Sequence, residues 1–341
     1  MQSICFFNHF HNGDLYHSKP FVKDVMNQVE TDFYYFHSKD HKILKDLNIK
    51  RAFVEGLNQN VQVLNKDDFV FVNTWIGSYF NKYKGECTLN FNMKMWNDIY
   101  QELNEILGTN LKIKSIENYY PFVDFNYYIL DNVDDYVYNN TNRKILISNG
   151  PGLSGQCEYN GDMADIIIEL AEKHKNKTFI TTQRIVHNKT NIVCTEDIIK
   201  SDTSDLNEIS YLSTFCDLII GKNSGPFCFS FNCENINDPS KTFIAFGTNK
   251  NDCFLDDIDI KCKLIFEKFT TINKLKETIE HQITKMENSP CVTICEYEDG
   301  TKTCKGCGRN EEEITEWSTA TKERKREINK AARLRKSSKK E

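Results

Sequence analysis

The chain has 341 residues, 39% of them hydrophobic and 27% charged, with a net charge of −6, which is room for two ordinary domains and a small appendage. An acidic balance speaks against a general nucleic-acid binder, and no stretch nears the roughly 18 consecutive apolar residues of a membrane span. The 13 cysteines, several single and in apolar surroundings (Cys5, Cys194, Cys216, Cys228), read as reduced core thiols, so we expect a cytoplasmic protein with neither a signal peptide nor a disulfide framework.

In chain order, "SICFFN" (3–8) reads as a strand and "KPFVKDVMNQVE" (19–30) as a helix. Pro20 falls near the first turn of that helix, where its missing N–H costs nothing. Strands follow at 32–37 and 68–75, then a helix at 92–107 with Met95, Ile99, Leu103 and Leu107 along one face. The stretch 131–144, "DNVDDYVYNNTNRK", loses apolar periodicity and reads as a linker. The rhythm restarts with a strand at 144–149, a helix at 162–174, strands at 177–182 and 191–195, a helix at 205–216 and a strand at 217–221. A helix opening at Pro226, a strand at 241–247 and a helix at 271–286 complete it. Strands alternating with helices predict an α/β fold with parallel sheets: two Rossmann-like units, 1–135 and 143–286, facing across a cleft, followed by a small metal-binding module at 288–341. In such a layout ligands bind at the carboxyl ends of the strands.

Three joints stand at strand ends. The segment "NHFHNGDLYHSKPFVKDV" (8–25) carries Gly13-Asp14 between the first strand and the first helix. There a Gly turn opens backbone N–H groups to a ligand and Asp14 is placed to act as a general base toward a hydroxyl. The bland reading is a helix start in which Asp14 and Ser18 cap backbone groups. The segment "DLIIGKNSGPFCFSF" (217–231) runs from a strand through Asn223, Ser224, Gly225 and Pro226 into a helix. Its N-terminal N–H groups, dipole and hydroxyl suit a diphosphate, although capping alone explains Ser and Pro. The loop "ISNGPGLSGQ" (147–156), with Asn149, Gly150 and Gly152, is neither a G-x-G-x-x-G nor a Walker loop, but it falls on the same sheet edge as the second joint.

The N-terminal Gly-Asp joint, together with "Asp-Leu-Ile-Ile-Gly-x-x-Ser-Gly-Pro" in the second unit, resembles the heptosyltransferase-like glycosyltransferases of the GT-B fold, over motifs within 3–25 and 205–231. The resemblance implies that Asp14 activates an acceptor hydroxyl and that Ser224 and Gly225 hold the diphosphate of a nucleotide-sugar donor. Gly13, Asn149, Gly150, Gly152, Asn223 and Pro226 complete the expected nucleotide-sugar site. One departure stands: the family usually has a Lys shortly after the first strand of its second domain, and "SNGPGLSGQCEYNGD" has none.

Cys291-x3-Cys295-x8-Cys304-x2-Cys307, with Gly300, Gly306 and Gly308 among them, has ligand-like spacing. Four thiolates suit tetrahedral Zn²⁺ or an iron–sulfur cluster, and a module this small needs the metal's contribution to fold. The stretch "SPCVTICEYEDGTKTCKGCGRNEEEITEW" closely resembles the DUF1289 family, described as predicted Fe–S proteins, and zinc stays open. The basic tail after Trp317 reads as a solvated helix docking Trp317, Ile328 and Leu334 on the module, with contact to protein or nucleic acid as the other reading. Two functions follow: a glycosyltransferase acting on an unknown acceptor, or a non-catalytic scaffold of the same fold working through its cysteine module and basic tail.

Overall fold

The computed structural model describes residues 2–54, 56–79, 82, 88–140, 142–151, 162–247, 259–267 and 272–287. Beyond these it describes 297, 300, 302–305, 307–317, 319–321, 324, 327–328, 331–332 and 335. The chain divides into two compact units, Met1–Ile279 and Glu280–Glu341.

The large unit is α/β and holds two sheets. The first has the order β3-β2-β1-β5-β4, from β1 (Ser3–Phe7), β2 (Phe33–Phe36), β3 (Lys50–Ala52), β4 (Val63–Lys66) and β5 (Phe69–Asn73). All its pairings are parallel except β4 against β5. The second, order β11-β10-β9-β6-β7-β8, is parallel throughout. It comprises β6 (Arg143–Ser148), β7 (Lys177–Thr181), β8 (Ile192–Cys194), β9 (Cys216–Gly221), β10 (Thr242–Phe246) and β11 (Lys263–Glu267). In each sheet the chain builds outward on one side of its first strand and then crosses to the other. The switch points therefore lie between β1 and β5 and between β6 and β9, where the strand ends leave a crevice.

Strand β1 shows why the sheet is buried on both faces. Ile4 and Phe6 join the main core, while Cys5 and Phe7 pack with Phe71 on the other side, as period-two alternation requires. Helix α2 (Leu89–Leu107) buries Met95, Ile99 and Leu103, while Leu107 packs partly buried at the core's edge. It ends at Gly108 in the left-handed region, φ 66°.

Two expectations are corrected. Helix α1 runs Asn12–Gln28, so it starts well ahead of Lys19 and Pro20 lies inside it; the supposed loop around Gly13-Asp14 is the first turn of a helix. The stretch at 131–144 is no linker: Asp131–Asn139 forms α3 and β6 follows almost at once. Its acidic first turn, Asp131 and Asp134, suits the positive end of the helix dipole. Val133 and Val137, one turn apart, are buried, and Asp134 accepts from the Tyr211 hydroxyl at 2.7 Å. The edge strands β3 and β4 and the outer strand β11 were not anticipated, being short and only partly buried. No described helix is long and apolar enough to cross a membrane.

Helix α1 is locked by a fully buried ion pair. Lys19 Nζ donates to Asp46 Oδ2 at 2.6 Å, both side chains at 0% exposure, and the same oxygen accepts the Asp124 N–H at 2.9 Å. Burial pushes the Lys19 ammonium down, opposed by the Asp46 carboxylate. Removing one partner strands the other charge, so Lys19→Met should cost about 3–5 kcal/mol in urea unfolding. The double variant Lys19→Met/Asp46→Leu should recover most of that loss. A single variant within about 1 kcal/mol of the wild type would show that the pair does not hold α1.

Candidate functional site

The switch points of both sheets open on one cavity of about 860 Å³. After β1 it is lined by Phe10 through Asp14, His17 and Ser18, and after β5 by Thr74, Trp75 and Ile76; α2 adds Asn92, Met95 and Trp96. From the second sheet come Ser148 and Gly150 after β6, Thr182 and Gln183 after β7, and Asn223 through Pro226 after β9. Helix α6 (Leu206–Ser213) brings Leu206, with Ser204 and Asp205 just before it.

On the β1 side, Asn8 and His11 turn the chain straight into α1. Asn8 Oδ1 accepts the Phe10 N–H at 3.1 Å. Asp14, third residue of the helix, accepts the His11 backbone N–H at 3.1 Å, and its Oδ2 lies 3.4 Å from His11 Nδ1. This is the capping arrangement of the bland reading, made by a residue that also lines the cavity. The Asp14 hydrogen bond raises His11 above the ordinary histidine range. One turn further, burial drives His17 down to about 4 against the pull of Asp14, so its imidazole is neutral at neutral pH. Ser18 Oγ–H donates to the Leu15 carbonyl at 2.8 Å. A hydroxyl chain joins Ser18 to Tyr35 at 2.9 Å and Tyr35 to Thr74 at 2.6 Å, fixing α1 against the end of β5.

On the other side, Ser148 and Ser224 meet at 2.8 Å across the β6–β9 switch point. Ser224 stands at the N-cap of α7 (Gly225–Ser230), with Pro226 in the first turn, but its side chain makes no cap bond; the hydroxyl goes to Ser148. Asn223 Oδ1 accepts from the Cys228 thiol at 2.9 Å. Asn149 spends its amide on the Gln183 backbone, accepting from N–H at 2.8 Å and donating to C=O at 2.9 Å. It thus holds two strand-end loops together and is not among the lining residues. Gly13 has open space where a Cβ would be, and Gly225 would bring one to 3.2 Å from Leu206. Gly152 lies outside the described residues.

Sequence reasoning missed the aromatic wall. Phe10 stacks on Trp75 at 3.6 Å and 17°, and Gly77 packs so close to that indole that a Cβ would stand 2.1 Å from it. At Gly221 a Cβ would fall 2.6 Å from Phe227, which packs α7 onto β9. Burial raises the missed Asp205 carboxyl above its ordinary range, opposed in part by Lys42. The described residues that line the cavity include no Lys or Arg.

In the smaller unit, the chain turns back at Cys304 to Cys307: Cys304 accepts the Gly308 N–H on its carbonyl at 2.8 Å and donates its own N–H to Arg309 O at 2.8 Å. Gly308 has φ +74°, a conformation few side chains adopt. Arg309 Nε–H approaches Cys307 Sγ at 3.4 Å and its guanidinium lies 4.6 Å from the Trp317 ring. A cysteine pair on a glycine turn, with a cation donating to sulfur, is chemically fit for a thiophilic metal. Cys291 and Cys295 lie outside the described residues, and among the described ones no three His, Cys, Asp or Glu gather as a metal site. Asn310 caps α10 (Glu311–Glu316) in a reciprocal capping box with Glu313, and Arg335 in the helical tail pairs with Glu313 and donates to Gly308 O at 2.9 Å. Ile328 and Ala332 are buried and Trp317 is half-buried; Leu334 lies outside the described residues.

The family described as "Protein of unknown function (DUF1289)" matches residues 289–336, bearing out the resemblance of the cysteine-rich stretch. No curated protein sequence matches the chain. Among solved structures, a glycosyl transferase family 9 protein from Veillonella parvula is 12% identical at TM-score 0.44, over 84% of this chain and 96% of that one. ADP-heptose LPS heptosyltransferase II from E. coli is 9% identical at TM-score 0.45, over 84% and 100%. The E. coli heptosyltransferase WaaC, solved with ADP-2-deoxy-2-fluoro heptose, is 8% identical at TM-score 0.45, over 82% and 99%. Likenesses this distant say nothing of substrate, and the chemistry has to come from the residues that line the cavity.

The buried histidines carry a pH signature. His17 and His37 are both pushed by burial from 6.5 to about 4, His37 further by the charges of His41 and Arg51. Between those values the unfolded chain binds protons that the folded chain refuses. Stability is therefore full above pH 6.5 and falls as pH drops toward 4, by a few kcal/mol at most for each residue. In urea-unfolding series from pH 7 to 4, His17→Gln and His37→Gln should each flatten the slope. Slopes equal to the wild type in both variants would place these imidazoles in water.

Proposed function

We propose that the large unit is a glycosyltransferase. The observation that carries this reading is the convergence of both switch points, β1/β5 and β6/β9, on a single cavity. Two sheets whose parallel strands present their carboxyl ends to one space can hold two reactants against each other. The donor, a nucleotide sugar, would lie on the β6/β9 side, where the Ser148–Ser224 pair, the backbone around Gly150 and the start of α7 offer hydroxyl and N–H donors to its diphosphate. The acceptor would lie on the β1/β5 side beside Asp14. Its hydroxyl oxygen attacks the anomeric carbon and the bond from that carbon to the diphosphate breaks. The nucleoside diphosphate leaves with the electron pair, and Asp14 takes the hydroxyl proton on the oxygen not engaged by His11.

Asp14→Asn keeps the cap geometry and removes the base. It should lower transfer by about a hundredfold or more while nucleotide-sugar binding, read by calorimetry, stays as in the wild type. Turnover retained in that variant would remove Asp14 as the base. Titration with UDP-, GDP-, ADP- and CMP-linked sugars should find one that saturates and that weakens in Ser224→Ala.

A second reading draws on the lining itself: with no Lys or Arg among its described residues, a diphosphate would be held by neutral donors alone. On that reading the fold is a scaffold and the cysteine module does the work, through contact with protein or nucleic acid. Absence of binding across the nucleotide-sugar panel favours it.

For the module, the reading is that Cys291, Cys295, Cys304 and Cys307 together hold one metal centre, zinc or iron–sulfur. Cys304→Ser and Cys307→Ser should each lower the metal content of the purified chain measured by mass spectrometry. Absorbance near 400 nm in the wild type would mark iron–sulfur, and a colourless, zinc-loaded chain the other. Undiminished metal in both variants would count against the centre.

A further inference from the structure

The smaller unit brings two arginines onto its cysteine turn. Arg309 Nε–H donates to Cys307 Sγ at 3.4 Å, and the Trp317 ring, 4.6 Å from the guanidinium, gives that cation an aromatic face to rest on. A guanidinium does not lose its proton in a protein, so the sulfur has a permanently charged donor.

The second arginine reaches the same turn from the basic tail. Residues 324, 327, 328, 331, 332 and 335 are helical. Ile328 and Ala332, four apart, are buried, and Arg335, three further on, falls on the same helix face. Its Nε–H donates to Gly308 O at 2.9 Å, and its other end pairs with Glu313, the residue that closes the capping box of α10 with Asn310. Gly308 stands between Cys307 and Arg309 with φ +74°. One planar side chain therefore ties the carbonyl next to Cys307 to the first turn of α10. Arg324 differs: it lies on the exposed side of the tail and pairs with Glu316 at 2.7 Å and Glu327 at 3.1 Å.

Four thiolates around a divalent metal or a cluster leave a centre of net negative charge. Hydrogen bonds to the sulfurs offset part of it, and partners that orient the ligands from outside govern how firmly the metal is kept. We propose that Arg309 and Arg335 are positioning residues of the metal centre. Arg309 holds the Cys307 thiolate, and Arg335 holds the turn that carries Cys304 and Cys307, so the basic tail serves to retain the metal. This rests on the four-cysteine reading above.

The test uses the full chain, with metal content measured by mass spectrometry and with the rate at which excess EDTA strips the metal. Variants are first reloaded to the wild-type content. Arg309→Gln and Arg335→Gln should each lose metal about tenfold faster. Arg309→Lys keeps a cation and an N–H donor and should stay close to the wild-type rate. Arg335→Lys cannot bridge a carbonyl and a carboxylate with one planar group, and should match Arg335→Gln. Arg324→Gln should behave as the wild type. The proposal is overturned if both glutamine variants keep the wild-type rate or if Arg324→Gln speeds the loss as much as they do. It is overturned equally if Arg309→Lys loses metal as fast as Arg309→Gln, since packing alone would then explain Arg309. Should one glutamine variant not purify, the other reads the same turn. A wild-type chain without metal would sink the four-cysteine reading and this proposal with it; a loaded chain whose variants all hold their metal equally well would sink this proposal alone.

Discussion

The buried pair of Lys19 and Asp46 sets the geometry on which the cavity depends. Two charges with no exposed surface are tolerated only where the opposite charge and further hydrogen bonds are held in place, and here those come from different segments. Lys19 belongs to the helix that carries Asp14 and His17. Asp46 belongs to the 3-10 helix His41–Leu47 and also anchors the backbone at Asp124. The aromatic rings of Phe122 and Tyr16 lie 5.0 and 5.7 Å from the ammonium and make the pocket a good place for a cation and little else.

The same 3-10 helix reaches the second sheet's side. Asp40, its cap, accepts the Ser204 N–H at 2.9 Å; Lys42 pairs with Glu208 and donates to Ser201 at 2.8 Å; and Asn207 donates to the Lys42 carbonyl at 3.2 Å. Tyr16 adds a second tie, its ring stacked on Phe229 at 4.2 Å and its hydroxyl donating to Phe231 O at 3.3 Å. One short element therefore connects the helix bearing Asp14 with the segment bearing Ser204 and Asp205. These contacts tie the helix bearing Asp14 to the elements of the opposite wall.

The repeating strand–helix rhythm was legible because apolar runs such as Ile4 to Phe7 and Leu218 to Ile220 are buried on both faces and have to be written in hydrophobic residues. The edge strands were not legible, since β3 is Lys-Arg-Ala and half of β4 is exposed. Helix α3 was hidden because its burial rests on two valines and a hydrogen-bonded Asp134, a pattern that looks polar in a short window. Pro20 misled for a related reason: proline at a helix start is common, yet here packing carries the helix through it. Of the cavity lining, Gly13, Asp14, Gly150 and Asn223 to Pro226 were legible, because a chain leaving a parallel strand needs small or capping residues there. The wall made by Trp75, Asn92 and Trp96 was not, because nothing local distinguishes a helix position facing a cavity from one facing the core.

Asp14 caps α1 and lines the cavity at the same time. The cap fixes the carboxylate through Oδ2, and in the role proposed for Asp14 a position already fixed needs no further ordering. His17, one turn away, is kept neutral by burial and puts no cation beside Asp14 on that side. On the facing wall the serine pair and the loop held by Asn149 offer neutral donors only. On the transfer reading proposed above, one wall would take a proton at Asp14 and the other would hold the diphosphate with hydroxyl and backbone N–H groups. The charge balance between the walls then falls to whatever the ligand itself brings.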